Sequence, residues 1–415
     1  MVAKAEVVFP VNAAVMQGRS LAPEQARLPY MDNLRATAML LGVVFHAALA
    51  HSVFVRAYWP PSDKGTSWAV DAVVWCLHVF RMPLFFLIAG FFVALLVQRD
   101  GVVGMLRNRA KRVVIPFVLF WPVMYATMTA LTILAAQHVG ASSPMLMLIK
   151  DWLLMPDRPA APPTLMHLWF LPYLICFCVL VWVADALELK SRWLACIHDR
   201  PAFMVWAFPL AFVLPLVSVA APFPAPESVF PQWWALSFFG IYFWFGYRLY
   251  HAGSLLDALR SRTLPLLAGG AACYIGYSVL LQSQNPTLVN PLTHAAIAIL
   301  EAYAGFWLTL ALVLCGRRWL SQTNRVLRYV ADASYRVYLV HLPILFGIQY
   351  AMMDMLLPWP AKLVIALVGT FTAAFVSYAL LVRRTSIGVL LNGGVRRPAA
   401  SQVPTSTASR MSTSN

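Results

Sequence analysis

Charge is what this chain has least of. Asp, Glu, Lys and Arg make up 11% of its 415 residues, whereas soluble domains carry about 25%. With 61% hydrophobic residues beside that scarcity, water is excluded as the solvent for most of the surface. Acidic residues are fewer still, 16 against 31 basic ones, for a formal net charge of +15. The cations form no arm or basic helix face but sit in short segments between apolar runs. They therefore report membrane topology, and no nucleic-acid partner is expected. The six cysteines (Cys76, Cys176, Cys178, Cys196, Cys273 and Cys315) show neither a paired framework nor a metal-ligand spacing. They read as small apolar residues. Also missing are a Gly-rich phosphate loop after a strand, a G-x-S-x-G elbow and a His pair at i, i+4 with a carboxylate, so no metal is expected. The first apolar run has no small-residue cleavage pattern and reads as an uncleaved helix.

What is present is a series of apolar runs, each long enough to cross a hydrocarbon layer ~30 Å thick. They predict an all-α polytopic membrane protein with spans near 34–53, 68–98, 113–136, 168–187, 202–221, 233–250, 264–282, 292–315, 335–356 and 361–382. The fifth is the weakest, because Pro209 and Pro215 interrupt it. A leader (1–30) precedes the membrane domain (31–385), and a tail rich in Ser, Thr and Pro (386–415) is expected to be disordered and cytoplasmic. With the N-terminus inside, 25 of the 31 basic residues fall on the inner side. Only Arg56, Lys64, Lys150, Arg158 and Lys362 fall outside, and Arg81 lies within a span. One miscounted helix would move every later loop across the membrane, so ten spans with both ends cytoplasmic is the consistent solution. A bacterial inner membrane is the expected location. The Pro-rich outer loop, 137–167, is placed to cover an outward-facing site. No internal repeat is visible, which weakens an inverted-repeat transporter reading.

Polar residues within the spans carry the functional information, since a charge at the bilayer centre costs roughly 2.5–3.5 kcal/mol on insertion scales. The first span holds Asp32, Arg35 and His46. Arg35 and His46 are three turns apart on one face, ~16 Å along the axis. Imidazole titrates near neutral pH and can act as base and then acid; the competing reading is a snorkelling Arg and a packed His. In the second span His78 and Arg81 lie one above the other, with Asp71 two turns above His78. They either form an internal ion-pair network or place Arg81 on a substrate carbonyl or carboxylate. Glu301, midway along the eighth span, is the expected partner of Arg81 or of a histidine. His341 in the ninth span reads equally as structural or functional. Among the peripheral histidines only His167, in HLWFLPY, draws attention. Between the second and third spans, RDGVVGMLRNRAKR reads as a basic inner loop. Its Arg109 and Arg112 either mark topology or clamp the phosphates of a cytoplasmic donor.

Four stretches, LRATAMLLGVVFHAALAHS, HVFRMPLFFLIAGFF, HLWFLPYL and SYRVYLVHLP, resemble the membrane acyltransferase family 3 over residues 28–385. Arg35 and His46 match its Arg, ten residues, His pattern, and Arg109 and Arg112 supply its Arg-x-x-Arg element. The resemblance implies a bundle of about ten helices and an acyl-CoA donor from the cytoplasm, with succinyl-CoA or acetyl-CoA as co-substrate and no cofactor bound permanently. It also implies a carbohydrate acceptor such as a periplasmic glucan or surface polysaccharide. On that reading His46 and Arg35 are catalytic, Arg81, His78, Glu301 and His341 surround the substrates, and Arg109 and Arg112 hold donor phosphates. A transporter or exporter of a glycan or lipid-linked intermediate is the rival, because it too would need buried His, Arg and Glu.

Overall fold

The computed structural model describes residues 28–140, 143–188, 201–283, 290–322 and 324–382. The expected leader and tail, together with Cys196 and the inner-side Lys190, Arg192 and Arg200, lie outside the described residues. The helices are α1 (Pro29–Leu49), α2 (Trp68–Arg109), α3 (Ile115–His138), α4 (Pro144–Leu154) and α5 (Phe170–Ala186). They continue with α6 (Pro201–Trp206), α7 (Val213–Val217), α8 (Trp233–His251), α9 (Gly253–Ala258) and α10 (Thr263–Ser283). The last three are α11 (Pro291–Trp319), α12 (Arg325–Met352) and α13 (Trp359–Ser377). Among the described residues there is no strand, only an isolated bridge between Thr164 and Ser228. The caps follow local chemistry: Ser67, Asn290 and Asn324 each accept a backbone N–H of the first turn through their side-chain oxygen.

Five stretches are long and apolar enough to cross a membrane: Trp68–His138, Met166–Ala186, Arg260–Ser283, Pro291–Trp319 and Trp359–Leu380. α1, α8 and α12 have comparable lengths of 21, 19 and 28 residues. They carry more polar side chains, among them Asp32, Arg35 and His46 in α1 and Arg325, Arg328 and Arg336 in α12.

Two expectations are corrected. The fifth span is not one helix: α6 and α7 are separated by a 3₁₀ turn at Phe208–Phe212. Proline at 209 and 215 removes two backbone donors there. The basic segment after the second span is not a loop either. Helix breaks only at Gly101 (φ 70°, ψ 173°), then resumes through Arg107 and Arg109 and a π-helical turn, Ala110–Val114, into α3. Gly101 has a left-handed φ that side chains disfavour, and nothing lies within 4 Å of where a Cβ would stand.

α2 is the central element, flanked by α1 and packed along its second half on α8. The α2–α8 crossing is made by glycine. A Cβ on Gly90 would lie 1.9 Å from the Phe243 carbonyl oxygen, and one on Gly246 would lie 1.8 Å from that of Leu87. The two backbones therefore touch, the close approach that small residues permit where lipid tails are as apolar as the side chains they would release. Around this crossing the core is aromatic, with Phe86, Phe170, Phe212, Phe238, Phe239 and Phe306 fully buried. Val118, Leu119, Leu264, Ile275, Val364 and Val368, on α3, α10 and α13, are exposed, as a lipid-facing surface requires.

At the end of the bundle away from Arg35, the segment between α1 and α2 is fastened to α13. Lys362 Nζ lies 2.5 Å from Asp63, with side chains only 6% and 10% exposed. His51 Nδ1 donates to the Gly65 carbonyl at 3.0 Å, and burial pushes this imidazole below its ordinary pKa. Removing one partner of so enclosed a pair strands the other charge. Lys362→Ala is therefore expected to destabilise the fold by about 3 kcal/mol, read as a lower midpoint of thermal unfolding in detergent. An unchanged midpoint would show that the pair carries no such load.

Candidate functional site

Two helices and the turn before α5 bring three imidazoles together. The ring centroids of His46 (α1) and His341 (α12) are 5.4 Å apart. Those of His341 and His167, in the short turn before α5, are 5.2 Å apart and nearly perpendicular. The backbone fixes two of the tautomers. His341 Nδ1 faces the Tyr338 carbonyl at 2.6 Å and His167 Nε2 the Leu339 carbonyl at 3.3 Å. A carbonyl only accepts, so these nitrogens carry the protons. The lone pairs are then left on His341 Nε2 and His167 Nδ1, and both atoms are buried without a hydrogen-bond partner. His46 Nδ1 is unpartnered too. His341 and His167 are buried, at 0% and 3% exposure, whereas His46 keeps partial access. Its ring contacts those of Phe45, His341 and the loop residue Trp59. Among the described residues no group of three or more His, Cys, Asp or Glu is placed to hold a metal ion.

Arg81 lies one layer toward the Arg35 end. Its guanidinium carbon stands 4.5 Å from the Phe45 ring centroid, a cation–π contact. Its Nε is buried without a partner. Gly42 makes room for it, since a Cβ there would come within 2.7 Å of Arg81 Nη1. Arg81 lines a narrow apolar cleft with Ala38, Met39, Met82, Phe85, Phe170 and Tyr338. Ala38 and Met39 lie on α1 between Arg35 and His46, and Tyr338 lies one turn before His341. The Tyr338 hydroxyl donates to the His167 carbonyl, tying α12 to the turn before α5. The cleft thus occupies the stretch between the arginine end of the bundle and the imidazole cluster.

Arg35 stands apart from His46, at the far end of α1. It pairs with Asp32 at 3.0 Å and lies over the Phe92 ring. Its neighbourhood is strongly basic: the half-buried Arg109 is within electrostatic reach of Arg35, Arg112 and Tyr335. Arg109 Nε and the Tyr335 hydroxyl are buried without partners. The expected Arg81–Glu301 pairing is not formed. The salt bridges among the described residues are Arg35–Asp32, Arg99–Asp100, Arg317–Asp257 and Lys362–Asp63. Glu301 instead lies within hydrogen-bonding reach of the Tyr277 hydroxyl and the Phe223 backbone, with the Tyr242 phenol alongside. Asp71 belongs to no charge network with Arg81. It accepts the Ser52 hydroxyl and, at 2.9 Å, the Val53 N–H, capping the turn after α1. His78 Nε2 donates to the Phe223 carbonyl at 2.8 Å, and its ring stacks on Phe45, which adjoins His46.

Sequence reasoning singled out His167 but gave it no role, and it missed Tyr338 and Trp59. Tyr338 was readable in part, because SYRVYLVHLP sets a polar ring in an apolar run. Trp59, in a loop, gives no such signal.

The acyltransferase-domain family matches residues 28–379. Among curated proteins, the glucans biosynthesis protein C of Salmonella schwarzengrund is 23% identical over 327 residues, covering 76% of this chain and 81% of that protein. The proteins of the same name from Salmonella paratyphi A and Salmonella dublin match with the same identity and coverage. No solved structure matches.

Proposed function

Because the chain belongs to this acyltransferase family, and is therefore a membrane acyltransferase, we propose that it moves a succinyl or acetyl group from cytoplasmic acyl-CoA to a carbohydrate hydroxyl, with a glucan as the first acceptor to test. The observation that carries this reading is the line of sites along α1. A basic cluster (Arg35, Arg109, Arg112) stands at one end, the narrow cleft beside Arg81 in the middle, and the partly accessible His46 beyond it. A CoA thioester has the same order of parts: anionic phosphates, an extended arm, and a reacting carbonyl.

His46 takes the proton of the sugar hydroxyl as that oxygen attacks the thioester carbonyl. The tetrahedral intermediate collapses by breaking the C–S bond, and the proton passes from His46 to the departing sulfur, leaving an ester and free CoA. Arg81, with an unpartnered buried Nε, stabilises the oxyanion or a succinyl carboxylate in a site that water does not screen. His341, poised by its bond to the Tyr338 carbonyl, buffers the His46 proton, and His78 orients the acceptor side. Glu301, packed beside Tyr242 and Tyr277, is assigned to the acceptor side. Arg35 acts at the donor end of the same helix.

The membrane arrangement belongs to the same proposal. Ten passes result when Trp68–His138 is counted as two and α6–α7 as one. A continuous helix of 71 residues would measure ~107 Å at 1.5 Å per residue, so one pass cannot contain it. The basic bias of the sequence then puts both termini and the Arg35 end in the cytoplasm of a bacterial inner-membrane protein.

The test is direct. Purified protein supplied with succinyl-CoA or acetyl-CoA should release free CoA and form glycan ester only when a glucan is added. No glucan- or polysaccharide-dependent release with either donor would overturn the reading.

A further inference from the structure

Trp59, from the segment between α1 and α2, lies on the ring of His46. Its indole is nearly parallel to the imidazole (13°, centroids 5.8 Å apart) and edge-on to Phe346 of α12 at 5.1 Å. The segment holds it there: the Pro60 carbonyl accepts the Ser143 hydroxyl at 2.6 Å, and Asp63 is paired with Lys362. A tryptophan of a membrane-interface belt turns its N–H toward headgroups and water. Trp59 Nε1 is instead buried, and no group among the described residues accepts its hydrogen.

One helical turn past Phe346, Gln349 shows the complementary deficit. It is 5% exposed, and its Nε2 donates at 3.0 Å to the carbonyl of Ala47, the residue after His46. A carbonyl only accepts, which fixes the orientation of the amide and leaves Oε1 as the acceptor. That oxygen is buried without a partner. An unpaired donor and an unpaired acceptor thus accompany the unpaired Nδ1 of His46. Each such buried group costs about 1–3 kcal/mol, and native interiors carry few of them.

We propose that Trp59 and Gln349 hold the acceptor sugar at His46; the inference rests on the carbohydrate-acceptor reading above. The indole N–H donates to an oxygen beside the reacting hydroxyl, and Gln349 Oε1 accepts from a hydroxyl of the same sugar unit. A saccharide suits both atoms, because each of its hydroxyls donates and accepts. The thioester carbonyl of the donor only accepts, so it would satisfy Trp59 and leave Gln349 unpaired. Neither side chain is charged, which fits a neutral sugar and not an anionic group. Both residues lie toward the end of the bundle away from Arg35. Acceptor and donor then meet at the base from opposite ends.

The experiment measures initial rates of the purified full chain with succinyl-CoA or acetyl-CoA and a glucose hexasaccharide, in Trp59→Phe, Trp59→Ala and Gln349→Met variants. Phenylalanine keeps a ring on His46 and removes the N–H, so it separates the hydrogen bond from packing. Gln349→Met keeps the side-chain length and tests the site even if a Trp59 variant folds badly. Trp59→Phe and Gln349→Met should each raise the KM for the hexasaccharide about tenfold, an equivalent of roughly 1.4 kcal/mol. The effect should fall on that KM rather than on kcat or on the KM for the donor. Trp59→Ala should add a fall in kcat, because the imidazole then loses its parallel neighbour. A fall in kcat with an unchanged acceptor KM in Trp59→Phe would reduce the indole to packing for His46. No change in either conservative variant would mean that water, and not sugar, pairs the two atoms. Both results overturn the proposal and leave the acyltransferase reading intact. A raised donor KM would move the residues to the thioester and overturn it as well. If the unaltered protein acylates no glycan at all, the carbohydrate reading itself falls, and this assignment with it.

Discussion

Replacing His46 with alanine should leave the protein in the membrane and remove its transferase activity. General-base catalysis contributes about 10²–10⁴-fold, so glucan-dependent CoA release should fall by at least that range. The argument rests on place as well as residue type. Of the three clustered imidazoles, His46 alone keeps partial access, while His341 and His167 are enclosed and each has one nitrogen committed to a backbone carbonyl. A base that must meet a substrate hydroxyl has to be the accessible one. The substitution should not cost the fold, because His46 Nδ1 has no hydrogen-bond partner to orphan, and α1 remains anchored by Phe45, Leu49 and the Asn33 side chain, which donates to the Leu320 carbonyl. Mass spectrometry of glycans from cells carrying only the His46→Ala protein would show wild-type ester content if His46 were merely packing material, and that result would remove it from the chemistry.

The elements that were legible in the sequence, and those that were not, divide along a physical line. Apolar runs announce helices, because a backbone in lipid must satisfy its own hydrogen bonds, and the predicted stretches that become α1, α5, α8, α10 and α11 follow from that alone. The basic stretch after Gln98 was misjudged because charge reports the side of a membrane and not the backbone conformation. Arg, Lys and Leu are good helix formers, and only Gly101 breaks the run. Within the site, Arg35, His46, Arg81 and His341 stood out as polar residues in apolar surroundings. Their neighbours did not, since spacing along one helix says nothing about which other helix lies opposite. Arg81 found the Phe45 ring instead of Glu301, and Asp71 found the Ser52 turn. His167 reaches the cluster only because Tyr338 and Leu339 of α12 bind the turn that carries it. Such contacts join residues about 170 positions apart and leave no trace in local pattern.

At the donor end, Arg109→Ala should raise the KM for acyl-CoA by about 10- to 150-fold, the equivalent of losing one hydrogen bond to a charged group at roughly 1.5–3 kcal/mol, with little change in the rate at saturating donor. Arg109 is the member of the basic cluster best placed to show this. Its Nε is buried without a partner, the guanidinium shares its surroundings with Arg35 and Arg112, and no carboxylate among the described residues pairs with it. A guanidinium fork fits phosphate oxygens in a way that an ammonium does not. Arg109→Lys should therefore restore only part of the affinity although it keeps the charge. Arg109→Ala should also flatten the salt dependence of donor binding, because fewer phosphate contacts remain to be screened. The sharper control is the donor itself. If Arg109 holds phosphate, an acyl-pantetheine lacking the nucleotide should be used equally badly by the unaltered protein and the variant. An unchanged acyl-CoA KM in Arg109→Ala, or an equal penalty on both donors, would reduce the cluster to a marker of membrane sidedness and move the donor site elsewhere.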